Sequence, residues 1–131
     1  MAAPQPAASM SSIGIPREIK PDEQRVALTP DAVRELVSIG LEVRIEQGAG
    51  RGAGIDDASF AAAGAAMVSK EEAWAAHLVV KVKEPQPEEF GFLRRDMVLF
   101  TYLHLAAYPA VGKALLESGC TSIAYETVQL E

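Results

Sequence analysis

Between His77 and Pro85 the chain reads His-Leu-Val-Val-Lys-Val-Lys-Glu-Pro, a stretch with very few structural options. Leu78, Val79, Val80 and Val82 form a nearly unbroken apolar run, the mark of a strand covered on both faces. Pro85 has no amide hydrogen to give a neighbouring strand, so it stops the ladder. The reading is a buried strand over Leu78–Lys83. Lys81 and Lys83, two apart, then point to the same side where the chain leaves the sheet. Open α/β sheets bind ligands beyond the carboxyl ends of their strands. A pair of lysines at that edge predicts a site for a small anion.

The remaining chain supplies strands and helices in alternation. Ser12–Ile15 is short, apolar and stopped by Pro16, a first strand. Arg17–Leu28 is a polar connection. Thr29-Pro30 opens a helix, with Thr29 as N-cap and Pro30 in the first turn; Val33, Leu36 and Val37 form its apolar face and Gly40 ends it. Glu42–Glu46 alternates charged and branched residues, as a strand with one exposed face does. After the glycine-rich Gln47–Gly54, Asp56 is a good N-cap for a short helix, Asp57–Ala62. Ala65–Val68 reads as a third strand. Ser69 and Glu72 have the spacing of a capping box at the start of a helix carrying Trp74, a packing residue. Beyond the central strand, Pro87–Leu93 reads as helical, Met97–Tyr102 as a strand, Pro109–Ser118 as a helix closed by Gly119, and Ser122–Tyr125 as a last strand. Such alternation implies right-handed crossovers and an α/β, three-layer, largely parallel sheet with helices on both faces, flavodoxin-like or Rossmann-like. A helix would normally cover the last strand, so the domain reads as incomplete at its C-terminal end. The order of the strands is not encoded in any local pattern.

Composition narrows the function. With 131 residues the chain has room for one domain. A net charge of −6 argues against nucleic acid as a partner, which requires a basic stripe. It leaves room for a small anion, since a local cluster of cations suffices. No apolar run approaches the roughly 20 residues needed to span a membrane. Cys120 is the single cysteine, so there is no internal disulfide and no thiolate metal cluster, which fits a cytoplasmic protein. No metal site is assigned. Residues 1–11 lack aromatic and branched side chains and are expected to be a disordered extension, leaving 12–131 as the domain.

Three residues follow predicted strands at one sheet edge: Arg25, Lys83 and His104. Arginine grips a carboxylate through two parallel hydrogen bonds, lysine adds a compact charge, and histidine exchanges a proton near neutral pH. Together they suit a 2-oxo or 2-amino acid. Each has a plainer alternative: Arg25 pairing with Glu23 or Asp22 on the surface, Lys83 as an ordinary strand-end lysine, His104 as a hydrogen-bonded core residue. Gly48-Ala49-Gly50-Arg51-Gly52-Ala53 fits the loose G-x-G-x-x-G/A pattern. Its helix, however, begins after the glycines with Asp56, which would repel a phosphate, so the stretch reads as a tight turn and no cofactor-binding residue is assigned. Glu126, after the last strand, is either structural or faces the same edge.

The wording of the sequence adds more. Ile13-Gly14-Ile15-Pro16-Arg17-Glu18, Arg25-Val26-Ala27-Leu28-Thr29-Pro30, Gly48-Ala49-Gly50, Leu78-Val79-Val80-Lys81-Val82-Lys83-Glu84-Pro85, Leu99-Phe100-Thr101-Tyr102-Leu103-His104-Leu105-Ala106 and Ala124-Tyr125-Glu126-Thr127-Val128 occur in this order. From about Ser12 to its end the chain closely resembles the N-terminal, substrate-binding part of alanine dehydrogenase. A more distant resemblance, over the same region, is to the alpha subunit of the proton-translocating nicotinamide nucleotide transhydrogenase, which lacks the histidine of Tyr-Leu-His-Leu-Ala.

The resemblance implies an oxidoreductase that interconverts L-alanine and pyruvate plus ammonia with NAD. Arg25 would hold the substrate carboxylate, Lys83 would contact the substrate oxygens, and His104 would be the catalytic acid–base at the carbon that accepts the hydride. It also implies that NAD is bound by a separate Rossmann domain, that further helices complete the substrate domain, and that the full-length protein is a homo-oligomer, a hexamer. Neither the Rossmann domain nor those helices occur in these 131 residues. The polypeptide alone is therefore expected to retain a substrate cup without turnover, and to self-associate through uncovered apolar surface. A transhydrogenase scaffold domain and a non-catalytic small-carboxylate-binding module are the competing readings.

Overall fold

The computed structural model describes residues 11–129. The expected N-terminal extension falls almost wholly outside that range. Six strands, β1 (Ser12–Ile15), β2 (Glu42–Glu46), β3 (Ala66–Val68), β4 (Leu78–Val80), β5 (Val98–Thr101) and β6 (Thr121–Ala124), form one sheet in the order β3-β2-β1-β4-β5-β6. All five neighbouring pairs are parallel. This is the doubly wound order in which the chain first builds outward in one direction from β1, then returns to β4 and builds in the other. The sheet is thus wholly parallel, and the edge above β1 and β4 is its topological switch point.

The helices are α1 (Pro30–Ser38), α2 (Asp57–Ala62), α3 (Lys70–Trp74) and α4 (Pro109–Ser118). Their ends follow the local chemistry of the sequence. Thr29 Oγ1 accepts the Ala32 N–H at 3.2 Å, Asp56 Oδ1 accepts that of Ser59 at 2.8 Å, and Ser69 and Glu72 form a reciprocal capping box. Gly119 closes α4 with a left-handed φ of 71°, which glycine adopts at no steric cost.

Successive strand residues serve opposite faces. Val80 joins Ile13, Ile15, Val43 and Ile45 beneath α1 and α2, through Val33 and Phe60. Val79 joins Leu99 and Met97 beneath α3 and α4, through Trp74, Val111 and Leu115. Trp74 is packed as expected, stacked on Phe92 with ring centroids 5.3 Å apart. Gly14 lets β1 meet α3: a Cβ there would lie 1.8 Å from the Ala73 carbonyl oxygen. Among the described residues no helix is long and apolar enough to cross a membrane.

One expectation needs correction. The central strand ends at Val80, so Lys81 and Lys83 lie beyond it. Pro87–Phe92 is helical as read, in the tighter 3-10 form.

Candidate functional site

The loop after β1 and the loop after β4 meet at the switch point, and one carboxylate ties them together. Glu18 accepts the backbone N–H groups of Val82 at 2.9 Å and Lys83 at 3.0 Å, and the Lys81 ammonium at 3.0 Å. Lys81 is only 1% exposed and also lies 3.7 Å from Glu89. Burial pushes the Glu89 carboxyl above its ordinary range, against the pull of Lys81. The expected lysine pair is therefore divided. Lys81 neutralises buried carboxylates, and Lys83, half-buried, is the one left at the rim. A second tie joins Lys20 to Glu84 and to the Tyr108 hydroxyl, 3.1 Å away.

Arg25 is exposed and forms a two-pronged pair with Glu23, Nε to Oε2 at 2.9 Å and Nη2 to Oε1 at 2.8 Å. The plainer alternative for Arg25 thus describes one of its contacts. Held by Arg25 first and by Lys83 more remotely, the Glu23 carboxyl drops to about 2. Glu23 thereby links Arg25 to Lys83. Arg25 in turn lies within electrostatic reach of Tyr102, whose ring stacks on the His104 imidazole with centroids 5.6 Å apart and planes 7° from parallel. The three residues singled out in the sequence lie on the loops after β1, β4 and β5 at one end of the sheet, with Arg25 paired to Glu23 and His104 stacked on Tyr102. His104 is no core histidine: its side chain is 46% exposed.

His104 also has a φ of +49°, an unusual left-handed conformation for a residue with a side chain. Glu126 holds it there, accepting the His104 N–H at 2.8 Å. Glu126 therefore does face the edge. Its motif did not reveal this, because the turn after β6 reaches the loop after β5 only once the strands are paired. Glu18 was also missed, since the backbone groups it binds are 64 and 65 residues away.

A cleft of about 540 Å³ opens between the loops after β1 and β2, lined by Arg17, Lys20, Glu23, Arg25, Gly48 and Arg51 among others, with Lys83 and His104 outside it. The glycine-rich wall of this cleft is the tight turn expected. A Cβ at Gly50 would sit 2.6 Å from the Ile55 carbonyl oxygen and 2.7 Å from the Phe60 ring. The following helix spans six residues, and the Asp56 carboxylate already sits at its N-terminus on the Ser59 N–H. A dinucleotide phosphate does not fit there.

Taken together, fold and edge define an open, doubly wound α/β domain that carries Arg25, Lys83 and His104 on loops at the carboxyl ends of its strands. The chain belongs to the alanine dehydrogenase/PNT N-terminal domain family, which matches residues 14–131. It is 56% identical over 119 residues to an alanine dehydrogenase of Mycobacterium tuberculosis and 51% identical over 117 residues to one of Bacillus subtilis. These alignments cover 89% and 88% of this chain, and 32% and 31% of the relatives. The chain thus spans about a third of their length. The fold matches a solved L-alanine dehydrogenase with a TM-score of 0.89 at 51% identity, covering 91% of this chain and 33% of that one. It matches a transhydrogenase from Sinorhizobium meliloti with a TM-score of 0.85 at 29% identity, over 92% and 36%.

Proposed function

We propose that this chain is the substrate-binding domain of an L-alanine dehydrogenase, which interconverts L-alanine, NAD and water with pyruvate, ammonia and NADH. Arg25 holds the substrate carboxylate, Lys83 contacts the substrate oxygens, and His104 exchanges the proton. The reading rests above all on the placement of Arg25, Lys83 and His104 on the loops after β1, β4 and β5, at one end of a wholly parallel sheet. With Glu23 occupying Nε and one Nη2 hydrogen of Arg25, the Nη1 side remains open to a carboxylate. Lys83 brings a compact charge to the same rim.

The glycine-rich turn does not suit a dinucleotide phosphate, and the family reading assigns NAD to a separate Rossmann domain. The cytoplasmic location and the hexameric assembly are carried over with the family reading. The transhydrogenase reading has the 29% identity of its structural likeness against 51%, and His104 speaks against it.

Thermal unfolding of the purified chain with and without pyruvate tests the proposal. A ligand at about 100 times its Kd adds about 2.7 kcal/mol to the native state. The expected result is a rise in Tm with pyruvate that Arg25→Ala and Lys83→Ala remove, with no oxidation of alanine when NAD is added. No rise at pyruvate concentrations in the tens of millimolar would overturn it. A rise untouched by either substitution would place the ligand elsewhere.

A further inference from the structure

After β6 the chain makes a 3-10 turn, Tyr125–Thr127, closed by the Val128 N–H on the Tyr125 carbonyl at 3.2 Å. Thr127 Oγ1 donates to the Ala124 carbonyl at 3.0 Å. The Tyr125 ring meets Phe100 and Tyr102 edge-on, with centroids 4.4 Å and 4.8 Å away. Glu126 therefore stands on a turn pinned on both sides. Its carboxylate accepts the Leu103 N–H at 3.2 Å and the His104 N–H at 2.8 Å, and Oε2 lies 3.6 Å from His104 Nδ1. Two features of His104, its strained backbone and its ring nitrogen Nδ1, thus meet one carboxylate, while Tyr102 sets the plane of the ring.

We propose that Glu126 is a positioning residue for His104. Its carboxylate holds the turn that presents the imidazole and keeps Nδ1 protonated, so that Nε2 is the nitrogen turned to substrate. This deepens the alanine dehydrogenase reading and rests on it. An unprotonated Nδ1 would set its lone pair against the carboxylate, whereas Nδ1–H is attracted to it. At 3.6 Å the contact is electrostatic rather than a hydrogen bond, and catalytic contacts are often long before substrate arrives. The backbone N–H of His104 holds the Glu126 carboxyl below its ordinary range, so the charge persists well into acid. When Nε2 takes a proton from a substrate hydroxyl or amine, the resulting imidazolium faces that carboxylate through Nδ1–H.

His77 supplies an internal contrast. Ser12 Oγ accepts the His77 N–H at 3.1 Å and lies 3.4 Å from His77 Nδ1, a neutral hydroxyl that can give or take a hydrogen there. His77, whose Nδ1 meets a neutral hydroxyl rather than a carboxylate, is the reference ring in the same spectrum.

Imidazole 15N chemical shifts at a pH where both rings are neutral read the tautomers directly, in the substrate-free chain. The unsubstituted chain is expected to show His104 mainly as Nδ1–H. Glu126→Gln can keep an oxygen for the His104 N–H, and with it the turn, but removes the negative charge beside Nδ1, so the Nδ1–H fraction of His104 should fall while His77 is unchanged. A His104 that is mainly Nε2–H in the unsubstituted chain overturns the proposal, even if the variant does not fold. So does a tautomer that Glu126→Gln leaves unmoved. Pyruvate-induced stabilisation of the unsubstituted chain, measured alongside, reports separately on the substrate reading.

Discussion

Arg25 has a partner already, and the partner sharpens its role. A free guanidinium samples many rotamers; one held through Nε and Nη2 by Glu23 presents its remaining hydrogens in a fixed direction. The Glu23 side chain is only 6% exposed while that of Arg25 is 62% exposed. The pair therefore sits with its anion inside and its cation toward solvent, ready to meet a second anion. Because the Glu23 carboxyl is held at about 2, below its ordinary 4.5, the unfolded chain binds the proton more readily. The pair's contribution is complete above about pH 4.5 and disappears as pH falls towards 2. Solvent at the exposed guanidinium limits it to about 1 kcal/mol. Glu23→Gln should then lose about that much stability at neutral pH and match the unsubstituted chain near pH 2, as urea unfolding across the acid range would show. It should also weaken pyruvate binding, since Arg25 loses the group that aims it.

At the scale of elements, how much could be read depended on whether the cause was local. The N-caps Thr29, Asp56 and Ser69 and the glycine stop at Gly119 act within a few residues, and the helices they bound fall where the sequence puts them. The end of β4 was misread because Val82 carries on the apolar pattern. Its N–H goes instead to Glu18, and that competition is invisible until β1 and β4 are known to be neighbours. The same long-range pairing concealed the division of labour between Lys81 and Lys83. Arg25, Lys83 and His104 could be singled out because each lies on a loop that follows a strand and within a distinctive motif; Glu18 and Glu126 act through backbone groups that motifs do not display. Two substitutions test these joints. Lys81→Ala leaves the buried Glu18 without its cation and should destabilise the fold by about 3–5 kcal/mol in denaturant titration. Gly14→Ala drives a methyl group into the Ala73 carbonyl and should cost about 3 kcal/mol, because the obstacle is helix backbone and cannot rotate away.

Over the whole molecule the two faces of the sheet are not covered alike. Parallel sheets are normally buried on both sides. Here α3 and α4 span one face, while α1 and α2 cover the β1–β3 half of the other, where Phe60 and Val33 are fully buried. On that second face, the β4–β6 half bears Val98, Phe100 and Ile123, with Phe100 and Ile123 in register and Ile123 43% exposed. No α-helix among the described residues lies over it, and β6 next to it is an edge strand with one side unpaired. An apolar face continuous with an open strand edge is what a second copy can use, by stacking face on face or by extending the sheet. The chain should therefore associate with itself at micromolar concentrations. Ile123→Lys, which puts a charge on both the face and the edge, should return it to the monomer while leaving the folded core intact, since Ile123 contributes little buried surface. Sedimentation velocity over a concentration series checks this: a single monomeric species in the unsubstituted chain would show that the open half-face is too small to drive association. A shared loss of association and of pyruvate stabilisation in Ile123→Lys would instead mean that the substrate edge is shaped by the contact between copies.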